Sequence, residues 1–211
     1  MIVVLFSLSG RVPSGTFGPR RYITSMGKHP IRFNSVVTAF LLGVTFSSSA
    51  FAQETSLDDL YQELLTADET NHERIADRIL DRLDKSGSAT IDLLLRRGEE
   101  ALEQGDFVAA AEHYTATIDH APEFSAAYSG RAQAYFNLEM IGPALDDLRA
   151  ALVLEPRHFN AMFGVGIIME GLERPEDARE VYRAILEIYP LEPDTLEALE
   201  RVNLQLEGQA L

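Results

Sequence analysis

Three stretches decide the fold: AAAEHYTATIDHAP at residues 109–122, PALDDLRAALVLEP at 143–156 and DAREVYRAILEIYP at 177–190. They align without a gap at an interval of 34 residues, which Pro122, Pro156 and Pro190 keep and which Ala110, Ala144 and Ala178 keep with them. A fixed period of this length marks an array in which each unit is one supersecondary element stacked on its neighbours. Each proline closes a helix, because it has no N–H to donate and disfavours helical geometry in the residue before it. Each alanine has a small partner 12 residues ahead of it, Gly98, Ala132 and Gly166. Small side chains at both positions let two antiparallel helices cross at close range.

The pattern resembles the tetratricopeptide repeat, a helix-turn-helix unit that stacks into a right-handed superhelix. With residue 91 as the first position, the units run 91–124, 125–158 and 159–192. The family's large residue at position 4 falls on Leu94, Tyr128 and Met162, and the small one at position 8 on Gly98, Ala132 and Gly166. Position 20 is alanine three times, position 24 is Tyr114, Leu148 and Tyr182, and position 32 is proline three times. The turn glycine at position 15 survives as Gly105 and becomes Glu139 and Glu173, and the position 11 tyrosine survives as Tyr135. These departures are expected to loosen two turns without removing a core contact. The resemblance implies an all-α fold, a right-handed superhelical solenoid of three repeats.

Both flanks of the array also read as helix. Residues 57, 60, 61, 64 and 65 are apolar at helical spacing, and Ser56 with Asp59 forms an S-x-x-D start signal. A second such run, apolar at 75, 76, 79, 80 and 83, is closed by Ser86-Gly87-Ser88. Ala76 and Leu80 fall one interval of 34 before Ala110 and Tyr114, so residues 53–90 are expected to form an N-terminal hairpin in the manner of a degenerate repeat. Residues 193–211 are expected to supply a helix that caps the last exposed face.

The stretch Met26–Ala52, MGKHPIRFNSVVTAFLLGVTFSSSAFA, has the basic start, apolar middle and small-residue end of a secretory signal peptide, with cleavage expected between Ala52 and Gln53. Its apolar run spans about 16 Å as a helix, short of the roughly 20 residues that a bilayer crossing needs. Translation is expected to start at Met26, leaving residues 1–25 unused, and the mature chain is expected to be a periplasmic protein without a stable membrane insertion. After Ala52 there are 13 basic and 33 acidic side chains, a net charge of −20, because every acidic residue lies beyond that point. Such a body repels phosphate backbones and anionic headgroups, which disfavours nucleic acid as a partner. The absence of cysteine excludes disulfides, thiolate metal sites and thiol catalysis.

In the family that the repeats resemble, first helices line a concave face, and positions 2, 5, 9, 12 and 13 meet a bound peptide. Carried over by position, the resemblance implies a groove that includes Leu95, Glu99 and Leu102 from the first unit. Ser129, Gln133, Phe136 and Asn137 come from the second, and Asn160, Phe163 and Ile167 from the third. The lysines, asparagines and arginine with which some members clamp a terminal carboxylate are missing: position 5 reads Leu95, Ser129, Phe163, and position 9 reads Glu99, Gln133, Ile167. His113 and His120 lie about 10 Å apart along one helix, too far for two ligands of one metal, and His120 suits a helix C-terminus. Arg96, Arg97 and Arg131 read as surface or bridging ion pairs. No phosphate loop, serine elbow or paired-histidine motif is present.

The expectation from sequence is therefore a non-catalytic protein–protein interaction module without cofactor or metal. It would be an exported adaptor or scaffold that binds an envelope protein or peptide, favouring basic partners. The alternatives are a self-associating structural protein, a homo-oligomer, and a non-catalytic subunit of an envelope enzyme complex.

Overall fold

A computed structural model of the chain describes residues 55–209. The expected signal peptide, its Ala52–Gln53 cleavage point and the start at Met26 lie outside the described residues. Among the described residues there is no strand, and the elements are α1 (Leu57–Leu65), α2 (His72–Leu83), α3 (Ala89–Glu103), α4 (Phe107–His120), α5 (Ser125–Asn137), α6 (Ile141–Leu154), α7 (Phe159–Gly171), α8 (Pro175–Leu186) and α9 (Pro193–Gln209). Helices pair as α3 with α4, α5 with α6 and α7 with α8, and successive pairs meet through α4 on α5 and α6 on α7. First helices also touch one another, α3 with α5 and α5 with α7, and α9 packs on α8. Among the described helices, none is long and apolar enough to cross a membrane.

The small residues sit where two helices cross. Ala110, Ala144 and Ala178 are fully buried. A methyl group added at Gly98 or Gly130 would overlap the Tyr114 ring, and one added at Gly166 would overlap the Tyr182 ring. Tyr114 thus lies flat against two first helices at once, α3 and α5, and locks the first unit to the second.

The turns keep their geometry where glycine is lost. Gly105 has φ +74°, and Glu139 and Glu173 adopt the same left-handed conformation at φ +60° and +57°. A side chain there costs about 1–2 kcal/mol, so the two glutamates carry strain, and the turns are not looser.

An ion pair closes the second unit, and its arginine also reaches the first. Arg131 of α5 grips Asp147 of α6 with two bonds of 2.7 and 2.8 Å and also reaches the Thr115 hydroxyl of α4 at 3.1 Å. Its guanidinium lies between the rings of Tyr128 and Tyr135. Ala109 and Asp59 donate their amides to the capping side chains of Asp106 and Ser56, and the latter is the start signal read from sequence.

Helices α1 and α2 form a hairpin that is seated unlike a repeat. It makes little contact with α3, the helix that a stacked unit would cover. Instead Leu60, Tyr61, Leu64, Ile75, Ile79 and Leu83 share one buried cluster with Phe159, Tyr182, Ile185 and Tyr189 of the third repeat. The Tyr61 hydroxyl donates to the Arg157 carbonyl at 2.9 Å, Arg157 pairs with Asp58 at 2.6 Å, and His72 Nδ1 lies 2.6 Å from the Tyr189 hydroxyl. The hairpin therefore leaves α3 and returns to the far end of the array.

Candidate functional site

The first helices α3, α5 and α7 line two adjoining clefts. The larger, of about 470 Å³, lies between α5 and α7, with Phe136, Phe163 and Ile167 as its apolar surface and Gln133, Asn137 and Asn160 as its amide edge. Asp194, at the start of α9, closes one side. Phe136 is the most open of the three apolar groups at 39% exposure. Phe163 is half-buried, with its ring 5.6 Å from that of Tyr182. Helix α9 covers α8 rather than α7, and Arg201 reaches across to hold Glu170 with bonds of 2.8 and 3.0 Å. That pairing, helped by the Tyr182 hydroxyl, keeps the Glu170 carboxyl below its usual range.

The smaller cleft, of about 370 Å³, lies between α2 and the first helices. Leu80 and Asp84 form one wall, while Leu95, Glu99, Leu102 and Glu103 of α3 form the other. Tyr114, Ser129, Gln133, Asn160 and His158 complete it. Burial raises the proton affinity of Asp84 until its pKa reaches about 7, and the neighbouring carboxylates Glu99 and Asp81 add to the shift. Glu99 is raised too, by burial first, although Arg96 opposes the rise. Burial and then the same two carboxylates, Glu99 and Asp84, push the Tyr114 hydroxyl upward. His158 is 4% exposed, neither of its ring nitrogens has a hydrogen-bond partner among the described residues, and burial lowers its pKa to about 4.

All ten groove residues carried over from the repeat positions line one cleft or the other, and Ser129, Gln133 and Asn160 line both. Leu95 is almost wholly buried, so it supports the floor more than it offers contact. Arg131 faces Asp147 and is unavailable to a ligand, while Arg96 and Arg97 are exposed. No group of three or more metal-ligating side chains with suitable placement exists among the described residues. Sequence reasoning missed Leu80, Asp84, Gly130 and His158. For Asp84 a signal was present: the repeat places Ile118, Leu152 and Leu186 at successive intervals of 34 beyond it, so a carboxylate stands where the array is otherwise apolar.

Comparison with known proteins points the same way as the helices. Residues 95–139 and 143–193 match a family model described as Tetratricopeptide repeat. A TPR repeat-containing protein of Rhizobium etli is 29% identical over 155 residues, which is 73% of this chain and 74% of that one. RNA polymerase II-associated protein 3 of Mus musculus is 32% identical over 153 residues, 71% of this chain but only 22% of its own length. Among solved structures, the first TPR of Spaghetti (RPAP3) bound to the HSP90 peptide SRMEEVD superposes with a TM-score of 0.54 at 26% identity. It covers 56% of this chain and 95% of its own.

Proposed function

We propose that this chain, whose residues 95–139 and 143–193 match the tetratricopeptide repeat, is a non-catalytic protein-binding module whose concave face holds an extended segment of a partner protein. The observation that carries this reading is the convergence of ten groove positions from three repeats on two adjoining clefts, with Phe136 exposed among amide side chains. An apolar strip with hydrogen-bonding edges suits a peptide whose side chains alternate between burial and solvent. The solved neighbour was captured with the acidic peptide SRMEEVD. Here the groove carries Glu99, Glu103 and Asp84 and none of the clamp residues, so its partner is of a different, basic kind. On the strength of Met26–Ala52, the module works after export, in the periplasm, on an envelope protein. Export predicts a mature chain starting at Gln53, which terminal sequencing checks.

The test is selection of peptides from a random 12-residue display library on the purified protein. Peptides enriched by the wild type should bind Phe136→Arg/Asn160→Arg at least about tenfold more weakly, the loss of one buried aromatic contact. Both side chains are exposed, so the variant keeps its fold. Equal binding to the two proteins would remove the groove from the function.

A further inference from the structure

We propose that the smaller cleft seats a lysine or arginine side chain of the bound segment, between the carboxylates of Asp84 and Glu99, with the Tyr114 hydroxyl oxygen and the His158 ring as neutral acceptors. This deepens the groove reading and rests on it. Two independent features lead here. The first is geometric: Asp84 at the C-terminal end of α2 and Glu99 of α3 line one recess beside Tyr114, so that two carboxylates act on its hydroxyl. The second is His158, which lines the same recess, is almost wholly buried, and has both ring nitrogens unpartnered among the described residues.

Half-buried carboxylates and a buried, unpaired imidazole are each costly on their own, because little replaces the water they lost. A single cationic side chain with several N–H donors suits the carboxylates, the phenol oxygen and the acceptor nitrogen of the imidazole together. Its charge offsets Asp84 and Glu99, and its donors reach neutral imidazole nitrogen and phenol oxygen. An anionic side chain is repelled by the two carboxylates, and an apolar one leaves every polar group of the recess without a partner. The adjoining larger cleft shares Ser129, Gln133 and Asn160 with this one, so the cation would enter next to an apolar residue packed on Phe136. The preferred ligand is thus a segment with a basic residue followed or preceded at short range by an apolar one.

The seat has a proton signature. The charges that act on Asp84 are Glu99 from α3 and Asp81 on its own helix; Glu103 from α3, Tyr114 from α4 and His158 ahead of α7 line the same cleft, and Arg96 acts on Glu99. Asp84 holds a proton in much of the population at neutral pH, and an arriving cation displaces it. Affinity for a lysine peptide should therefore tighten several-fold from pH 6 to pH 8, with proton release at pH 6.5.

The experiment uses the display-selected 12-residue peptides described above on the full described chain. Enriched sequences should contain lysine or arginine in excess, and replacing that residue by norleucine should cost about tenfold in affinity. Asp84→Asn/Glu99→Gln should erase the difference between the lysine and norleucine peptides and the proton release seen by calorimetry in two buffers. Removing two crowded carboxylates spares the fold, which melting confirms. Enriched peptides that lose affinity for Phe136→Arg/Asn160→Arg yet show no basic excess, or bind the Asp84/Glu99 variant unchanged, overturn the seat and leave the groove standing. A wild-type selection that enriches nothing overturns both.

Discussion

The hydroxyl of Tyr61 donates to the main-chain carbonyl of Arg157 at 2.9 Å, while the guanidinium of the same Arg157 lies 4.2 Å from the centre of the Tyr61 ring. One residue of the first helix is thereby held from two sides by one residue ahead of the seventh.

This pairing fastens the N-terminal hairpin to the third repeat. Alanine at 157 keeps the main-chain carbonyl that Tyr61 bonds and removes the partly exposed cation–π contact, worth about 0.5–1 kcal/mol, together with the Asp58 ion pair, worth about 0–1 kcal/mol. Arg157→Ala should therefore lower amide-exchange protection across α1 and α2 by roughly 3- to 10-fold and leave α3–α8 nearly unchanged. Uniform loss over all helices would show that the hairpin and the repeats open as one unit.

Glu139 and Glu173 occupy left-handed backbone. Replacing either by glycine removes about 1–2 kcal/mol of strain and adds back about 0.5–1 kcal/mol of unfolded-chain freedom. Each substitution should raise the unfolding free energy by a net of roughly 0.5–1 kcal/mol, read as a higher urea midpoint, and Gly105→Ala should lower it.

Asp147 and Asp146 are adjacent, yet they should respond very differently to alanine. Asp147 is 9% exposed and paired to a partly buried Arg131, whereas Asp146 is 76% exposed with its partner Arg149 in solvent. Removing Asp147 strands a cation and should cost about 3–5 kcal/mol. Removing Asp146 should cost less than about 0.5 kcal/mol. Chemical denaturation of the two variants checks this directly.

Two groups in the smaller cleft impose opposite pH trends. Asp84 has a folded pKa of about 7, above its ordinary value of 3.8, so its favourable contribution is complete below the unfolded pKa and disappears as pH rises through 7. His158 is depressed from 6.5 to about 4, so its contribution is complete above 6.5 and disappears as pH falls toward 4. Asp84→Asn should therefore melt higher than wild type at pH 8 and about equally at pH 4. His158→Phe should narrow the wild-type loss between pH 6.5 and 4.

The repeats were legible in sequence because their packing is local and periodic. Ala110, Ala144 and Ala178 recur at the crossing points, and Tyr114 and Tyr182 close over Gly98 and Gly166 within the same hairpin. The hairpin of α1 and α2 was legible as helices for the same reason, since Leu60, Tyr61, Leu64, Ile75 and Ile79 keep a helical period. Its seat was not, because the contacts that fix it span 96 residues for Tyr61–Arg157 and 117 for His72–Tyr189, and neither pair lies in the repeating pattern. His72 begins α2 against Tyr189, and His158 is buried at the α7 cap; neither position belongs to the repeating apolar pattern. The second cleft inherits that opacity, since Leu80 and Asp84 reach it from the element whose destination no periodicity encodes.

Solenoids ordinarily lengthen by duplication, because a new unit needs only the surface of the one before it. Here the opening helices are clasped to the third unit, and a fourth inserted in the middle would carry that anchor point out of reach. The clasp works as a ruler: it sets the number of units, and with it the span of chain that the inner face can hold.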